Sequence, residues 1–316
     1  MRNIPSHPAQ ANTQTPSTES IDGKFTNGYL LPVRITWASD IHLEFCREDD
    51  RERFFYRLAG SPGDAILLTG DIASHNRTAR MLEEMHTATG KPIYYVTGNH
   101  DFYGGAIQEV TSALDGLRAR VPDIVRLDTA GPIQIARDTG LVGHGGWACG
   151  TAGSGINTNV RINDEVYIPD LRWLTKEKLF AQMRLMAKQS ADHIRAVGAQ
   201  AAEAYANVWI ATHVPPFAES CTYDNRLSEP DYLPHFCNLL LGDVIQQLAS
   251  AFPDTRFTVL CGHTHGAAFF SPAPNLRVIT AAAEYRCPSI RAELDPEAEA
   301  QKAIEAWQQP PHSPAP

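Results

Sequence analysis

The sequence is poor in the features that mark special protein classes. Six cysteines (Cys46, Cys149, Cys221, Cys237, Cys261 and Cys287) are scattered over 316 residues with no Cys-Xaa-Xaa-Cys pair. That spacing argues against a zinc ribbon, a thioredoxin-like site or a disulfide-stapled scaffold. No segment approaches the ~20 consecutive apolar residues that cross a bilayer. Met1 to Thr18 has no apolar core of the kind a signal peptide carries. Positive charge is short: 27 Lys+Arg stand against 36 Asp+Glu, a formal net charge of −9. A surface built to displace phosphate counterions is therefore disfavoured, and with it a dedicated nucleic-acid binder. These absences lead us to expect a soluble, cytoplasmic protein with reduced thiols and no membrane contact, and they leave its oligomeric state open.

What remains is ordinary in bulk. Hydrophobic residues at 43% and charged residues at 20% suffice for a proper core, which excludes a wholly disordered chain. Residues 1–28, rich in Ser, Thr, Asn, Gln and Pro, read as a disordered extension, and 297–316 as a flexible tail. No repeat or linker interrupts 29–296, so one domain is expected there.

Inside it, apolar or β-branched runs alternate with helical patterns. Val33 to Trp37, Ala65 to Thr69, Ile93 to Val96, Val208 to Thr212 and Phe257 to Cys261 are apolar on both faces, as strands of a covered sheet must be. Helices are predicted over Arg51 to Leu58, Thr78 to Thr89, Ala106 to Arg118 and Leu239 to Ala251, and a long one from Asp170 to about Ala204. Between Val125 and Trp147 the pattern shifts to closely spaced strands, Ile133 to Ile135 and Leu141 to Gly143. Alternating strand and helix predicts an α/β layered fold.

The unusual count is histidine, at twelve. The polar residues of interest fall just after the predicted strands, where open α/β sheets form their ligand crevice. They are Asp40-Ile41-His42, Gly70-Asp71, Gly98-Asn99-His100-Asp101, His213, and Gly262-His263-Thr264-His265. In an extended chain residues i and i+2 share a side, so Asp40 with His42, and His263 with His265, are expected to bite from one face. Carboxylate and imidazole donors suit Zn, Fe or Mn rather than Ca²⁺. The glycines before Asp71, Asn99 and His263 permit tight turns and close backbone approach.

Asp-Xaa-His, Gly-Asp, Gly-Asn-His-Asp, a lone His and Gly-His-Xaa-His, in that order, resemble the motifs of the calcineurin-like metallophosphoesterases. The resemblance spans about Val33 to Ala283. It implies a four-layer α-β-β-α sandwich: two stacked mixed β-sheets flanked by helices. It also implies two metal ions (Mn, Fe or Zn), one held by Asp40, His42, Asp71 and His265, the second by Asp71 as bridge with Asn99, His213 and His263. His100 would stand near the substrate, stabilising the phosphoryl group or protonating the leaving oxygen, with Asp101 orienting its imidazole. The implied reaction is hydrolysis of a small-molecule phosphomonoester or phosphodiester by a metal-bound hydroxide. Competing readings are a nuclease and a non-catalytic metal-binding scaffold.

Other polar residues stay undecided at this level. His75 and His144 lie in loops after strands, and two inserts, Ala148 to Pro169 and Pro215 to Phe236, carry Arg161, Arg226 and His235. Each could meet substrate or serve only the surface.

Overall fold

The computed structural model describes residues 34–296 and the two-residue strands Phe25–Thr26 and Tyr29–Leu30. The expected tail 297–316 and, apart from Phe25–Thr26, the extension 1–28 lie outside the described residues. Where the sequence has short apolar runs it forms strands, because each run can be covered on both faces. In chain order they are β1 (Ile35–Ala38), β2 (Ala65–Thr69), β3 (Ile93–Val96) and β4 (Ile124–Arg126). Then follow β5 (Ile133–Ala136), β6 (Thr139–Gly143), β7 (Asn207–Ala211) and β8 (Arg256–Cys261). The last are β9 (Ala268–Ala273), β10 (Leu276–Thr280) and β11 (Ala292–Leu294).

Two large mixed sheets result. One has the order β11-β1-β2-β3-β4, with β1 to β4 parallel and β11 antiparallel at the edge. The other runs β9-β10-β8-β7-β6-β5, parallel in the middle and antiparallel at both margins. Parallel neighbours need crossovers, and helices supply them. Helices α1 (Glu48–Gly60), α2 (Asn76–Thr89) and α3 (Ile107–Arg120) bury Phe54, Leu58, Met81 and Leu114 against Ile66, Leu68 and Tyr95 of the first sheet. The long α4 (Lys176–Ala204) and the shorter α5 (Leu239–Ala251) bury Ile194, Ala201, Ile245 and Leu248 against Val208, Ile210 and Val259 of the second.

A third core lies between the sheets, where Ile35, Trp37, Leu67 and Val96 meet Ile135, Leu141, Trp209 and Leu260. Trp37 is fully buried there, and its indole N–H donates to Thr69 Oγ1 at 3.0 Å, so its one polar atom is satisfied. The layers are helix, sheet, sheet, helix. The packing leaves the ends of β1, β2, β3, β7 and β8 side by side, and the polar motifs emerge there.

Two differences from the sequence reading have local causes. The long helix starts at Lys176 rather than Asp170, because Thr175 is its N-cap: Thr175 is extended and its hydroxyl accepts from the Lys178 N–H. Helix α1 starts earlier than Arg51, at Glu48, and places Glu48, Asp49 and Asp50 in the first turn, where the helix dipole favours negative charge.

Candidate metal centre

Asp40 and His42 do not share a side by strand alternation. β1 ends at Ala38, and beyond it Asp40 (φ 50°) and His42 (φ 42°) lie in the left-handed region. So do Asp71 (φ 51°), His263 (φ 72°) and His265 (φ 60°). The expected i, i+2 strand geometry is therefore replaced by left-handed turns, which re-aim each side chain into the crevice at a conformational cost. Main-chain hydrogen bonds hold the turns in place. Asp40 N donates to Gly70 O at 3.1 Å, His42 N to Asp71 O at 3.0 Å and Leu43 N to Ile72 O at 2.9 Å, so the first two loops run side by side. Glycine is required where the loops close on the carboxylates. A Cβ at Gly98 would stand 2.2 Å from Asp71 Oδ1, and one at Gly262 would stand 2.0 Å from Asp40 Oδ2.

The candidate ligands gather into two groups that share Asp71. In the first, Asp40, His42, Asp71 and His265 each offer a ligand atom within 4.8 Å of the others. His42 Nε2 faces His265 Nε2 at 3.1 Å and Asp71 Oδ2 at 3.6 Å, while His265 Nε2 stands 3.5 Å from Asp40 Oδ1. In the second, His213 Nε2 lies 3.0 Å from Asn99 Oδ1, 3.1 Å from His263 Nδ1 and 3.4 Å from Asp71 Oδ1. One oxygen of Asp71 goes to each group.

The surrounding hydrogen bonds decide what these atoms can do. His213 Nδ1 lies 2.9 Å from the Thr69 carbonyl and His263 Nε2 lies 3.0 Å from the His235 carbonyl, so both of those nitrogens carry hydrogen. The opposite nitrogens, which face each other, are then bare lone pairs. Asn99 is fixed the same way: its amide donates to Asp164 Oδ1 at 2.8 Å, leaving its oxygen for the site. Burial, first of all, holds His263 down to about 3 and His265 down to about 4, so both rings are neutral at neutral pH. Burial, reinforced by the charges of Asp40 and Asp101, pushes the Asp71 carboxyl well above its ordinary value. A single proton on Asp71 would serve one contact at most. The first group can converge on one cation, and the N/O atoms of the second gather around His213 Nε2 beside it.

Around this centre the remaining expectations divide. His100 stands beside it, its ring stacked on Tyr103 at 4.1 Å and edge-on to His42 at 4.4 Å, and its main-chain N–H donates to Asp71 Oδ1 at 2.9 Å. Asp101 does not orient the His100 ring. Its Oδ2 accepts from Gly98 N at 2.8 Å, and its Oδ1 accepts from Ile72 N, Ala73 N and the Thr78 hydroxyl at 3.2, 3.1 and 3.0 Å. Burial pushes this carboxyl up to about 7 while those donors pull it down. Asp101 is a knot between loops.

The carboxylate against the His100 ring belongs to Glu44, which the sequence reading missed. Glu44 Oε1 lies 3.1 Å from His100 Nδ1 and 3.4 Å from His42 Nδ1, and the side chain is only 7% exposed. Burial opposes its ionisation, but the bonds from His100 and His42 outweigh that and bring it down to about 2. It therefore fixes Nδ1–H on both rings, and His42 Nε2 faces the centre. The available signal was an acid two residues beyond His42. Glu44→Gln is expected to lower kcat/KM by about 10- to 100-fold. Steady-state kinetics with metal content measured in parallel check it; an unchanged rate would mean the carboxylate is incidental.

The undecided residues resolve plainly. His235 contributes its main-chain carbonyl to His263, not its ring. His144 accepts from Gly146 N at 3.1 Å within its own loop, and His75 Nε2 faces Glu109 at 3.7 Å. Arg161 pairs with Glu165 at 2.8 Å and is 78% exposed, and Arg226 is exposed on the hairpin Thr222–Tyr223/Arg226–Leu227.

Comparison with known proteins follows the same lines. The family model described as calcineurin-like phosphoesterase matches residues 33–267. Among solved structures, a phosphopantetheinyl hydrolase from Mycobacterium tuberculosis is similar with a TM-score of 0.55 and 12% identity, over 81% of this chain and 92% of that one. A dimetal phosphatase from Danio rerio is similar with a TM-score of 0.49 and 12% identity, over 79% of this chain and 88% of that one. No curated protein matches the sequence.

Proposed function

The chain belongs to the calcineurin-like phosphoesterase family, and from that premise we propose that it hydrolyses a small-molecule phosphomonoester or phosphodiester with two metal ions, Mn, Fe or Zn. Asp40, His42, Asp71 and His265 would hold one ion, and Asp71, Asn99, His213 and His263 the other. The observation that supports this most is the division of the two Asp71 oxygens between two groups of candidate ligands. When bound, such ions polarise phosphoryl oxygens and lower the pKa of water.

The protein's own residues do the rest. Asp71 spaces the two groups, and the His100 N–H fixes its rotation. His100 would give a proton from Nε2 to the leaving oxygen, with Glu44 against its Nδ1 as the counter-charge. Asp164 and the Thr69 and His235 carbonyls hold Asn99, His213 and His263 in place. No described helix is long and apolar enough to cross a membrane. Six free thiols, five of them buried, support a cytoplasmic location.

The test is metal analysis paired with rates on an aryl phosphomonoester, an aryl phosphodiester, a cyclic nucleotide and single-stranded DNA. About two ions per chain and turnover of at least one small ester are expected. Turnover confined to the DNA would replace this reading with a nuclease, and metal without any turnover would leave a binding scaffold.

A further inference from the structure

Two large apolar side chains lie half-exposed beside the metal centre. Phe45 is 45% exposed and Tyr285 is 48% exposed. Their rings meet edge to face, 5.4 Å apart at 84°, and form the two walls of a corner. The corner adjoins the site itself. The Tyr285 ring lies 4.6 Å from that of His42 and 4.8 Å from that of His265, both in the same candidate ligand group. The Phe45 ring lies 5.9 Å from His42 and 6.1 Å from His100.

Neither wall is loosely placed. Phe45 closes the single turn Leu43–Phe45 that follows His42, and its N–H donates to the His42 carbonyl at 3.0 Å. Tyr285 sits in a turn closed by Cys287 N donating to Glu284 O at 3.1 Å. That turn is tied to the ligand loop, since Ala283 N donates to His265 O at 3.1 Å. The backbone that sets the metal ligands thus also sets the corner. Tyr285 lies beyond residues 33–267, so nothing in the family match speaks to it.

We propose that Phe45 and Tyr285 seat a planar aromatic group on the substrate, one joined to the ester oxygen without a long spacer. The inference rests on the phosphoesterase reading, which puts the phosphoryl group at the centre. With that group in place, an ester substituent leaving past His42 and His265 would meet this corner. Aromatic rings pack against one another edge to face and gain more than their buried area alone. A binding pocket characteristically pairs a few fixed polar groups with such apolar walls. The short distance from Tyr285 to the ligand rings favours an aryl ester over a nucleotide, whose base stands a sugar away from its phosphate.

Non-hydrolysable phosphonates separate this inference from the reading beneath it. Calorimetry on the Mn-loaded protein would compare phenylphosphonate, methylphosphonate and the methylene phosphonate analogue of adenosine monophosphate. Phenylphosphonate is expected to bind about tenfold tighter than methylphosphonate, with the nucleotide gaining less. Phe45→Leu and Tyr285→Leu should each reduce the phenyl-over-methyl ratio to about twofold, with metal content as in the parent. Tyr285→Phe, which keeps the ring, should restore the ratio. Equal affinity for the two phosphonates in the parent protein would overturn the proposal. So would leucine variants that leave the ratio standing, or a nucleotide advantage that exceeds the phenyl one. A phenyl preference in a protein that turns over no ester would overturn the phosphoesterase reading and leave the corner intact. Ester turnover without a phenyl preference would do the reverse.

Discussion

Asp71→Asn is expected to lower turnover by about a thousandfold or more and to reduce bound metal below one ion per chain. The reason is the geometry of one carboxylate. Asp71 Oδ2 faces His42 Nε2 at 3.6 Å and Oδ1 faces His213 Nε2 at 3.4 Å, so each oxygen completes a different group of acceptors. An asparagine keeps one oxygen but turns an amide NH₂ toward the other group, and an NH₂ is a donor that cannot ligate. One site is lost outright, and the other loses the negative charge that offsets a dication. Stability should move the other way without metal. The Asp71 carboxyl is pushed well above its ordinary value by burial and by Asp40 and Asp101. A carboxyl whose folded pKa is raised opposes folding once the pH exceeds its unfolded value, and the opposition grows until the pH reaches the raised value. At neutral pH the neutral asparagine removes that opposition. In a chelator, the variant should therefore melt at or above the parent protein, and adding Mn²⁺ should raise the parent's Tm but not the variant's. An Asp71→Asn variant that still binds two ions and turns over normally would exclude Asp71 as the bridge.

The sequence showed which residues meet but not how the backbone delivers them. Asp40, His42, Asp71, Asn99, His213, His263 and His265 were legible because each follows an apolar run, and runs of that kind become parallel strands whose ends converge. Strand periodicity suggested that Asp40 and His42 share a face by alternation. In fact both sit at positive φ, held there by the neighbouring loop's carbonyls at Gly70 and Asp71. Such a cross-loop bond joins segments about thirty residues apart and leaves no local periodicity. The same holds for Glu44, which was missed and meets His100 across 56 positions, and for the bond by which Asp164 orients Asn99 across 65. Asp101 illustrates the opposite error. Adjacency to His100 suggested contact with its ring, but neighbours in a tight turn point apart, and its carboxylate went to four donors elsewhere. The outer strands β9, β10 and β11 escaped notice because they are only partly covered and lack a continuous apolar run.

His100→Ala should divide substrates by their leaving groups. Esters of alkyl alcohols are expected to lose about 10²- to 10⁴-fold in kcat, the range a positioned acid contributes, and nitrophenyl esters about tenfold or less. An alkoxide leaves poorly without a proton, whereas a nitrophenolate carries its own charge, so only the first class needs what His100 Nε2 can give. The substitution spares the main-chain N–H that holds Asp71 Oδ1, so metal content should stay near the parent's. It does remove the ring stacked on Tyr103, and a melting curve separates that packing loss from the chemistry. Glu44 then supplies the sharper discrimination, because its Oε1 serves His100 and His42 at once. If Glu44 acts mainly through His100, adding Glu44→Gln to His100→Ala should cost little more on alkyl esters, so the two losses are far from additive. If it acts mainly by holding His42, the losses should multiply and metal affinity should fall with them. Equal losses on alkyl and nitrophenyl esters in the single His100 variant would remove the proton-donor role altogether, leaving His100 as a charge-stabilising neighbour of the phosphoryl group.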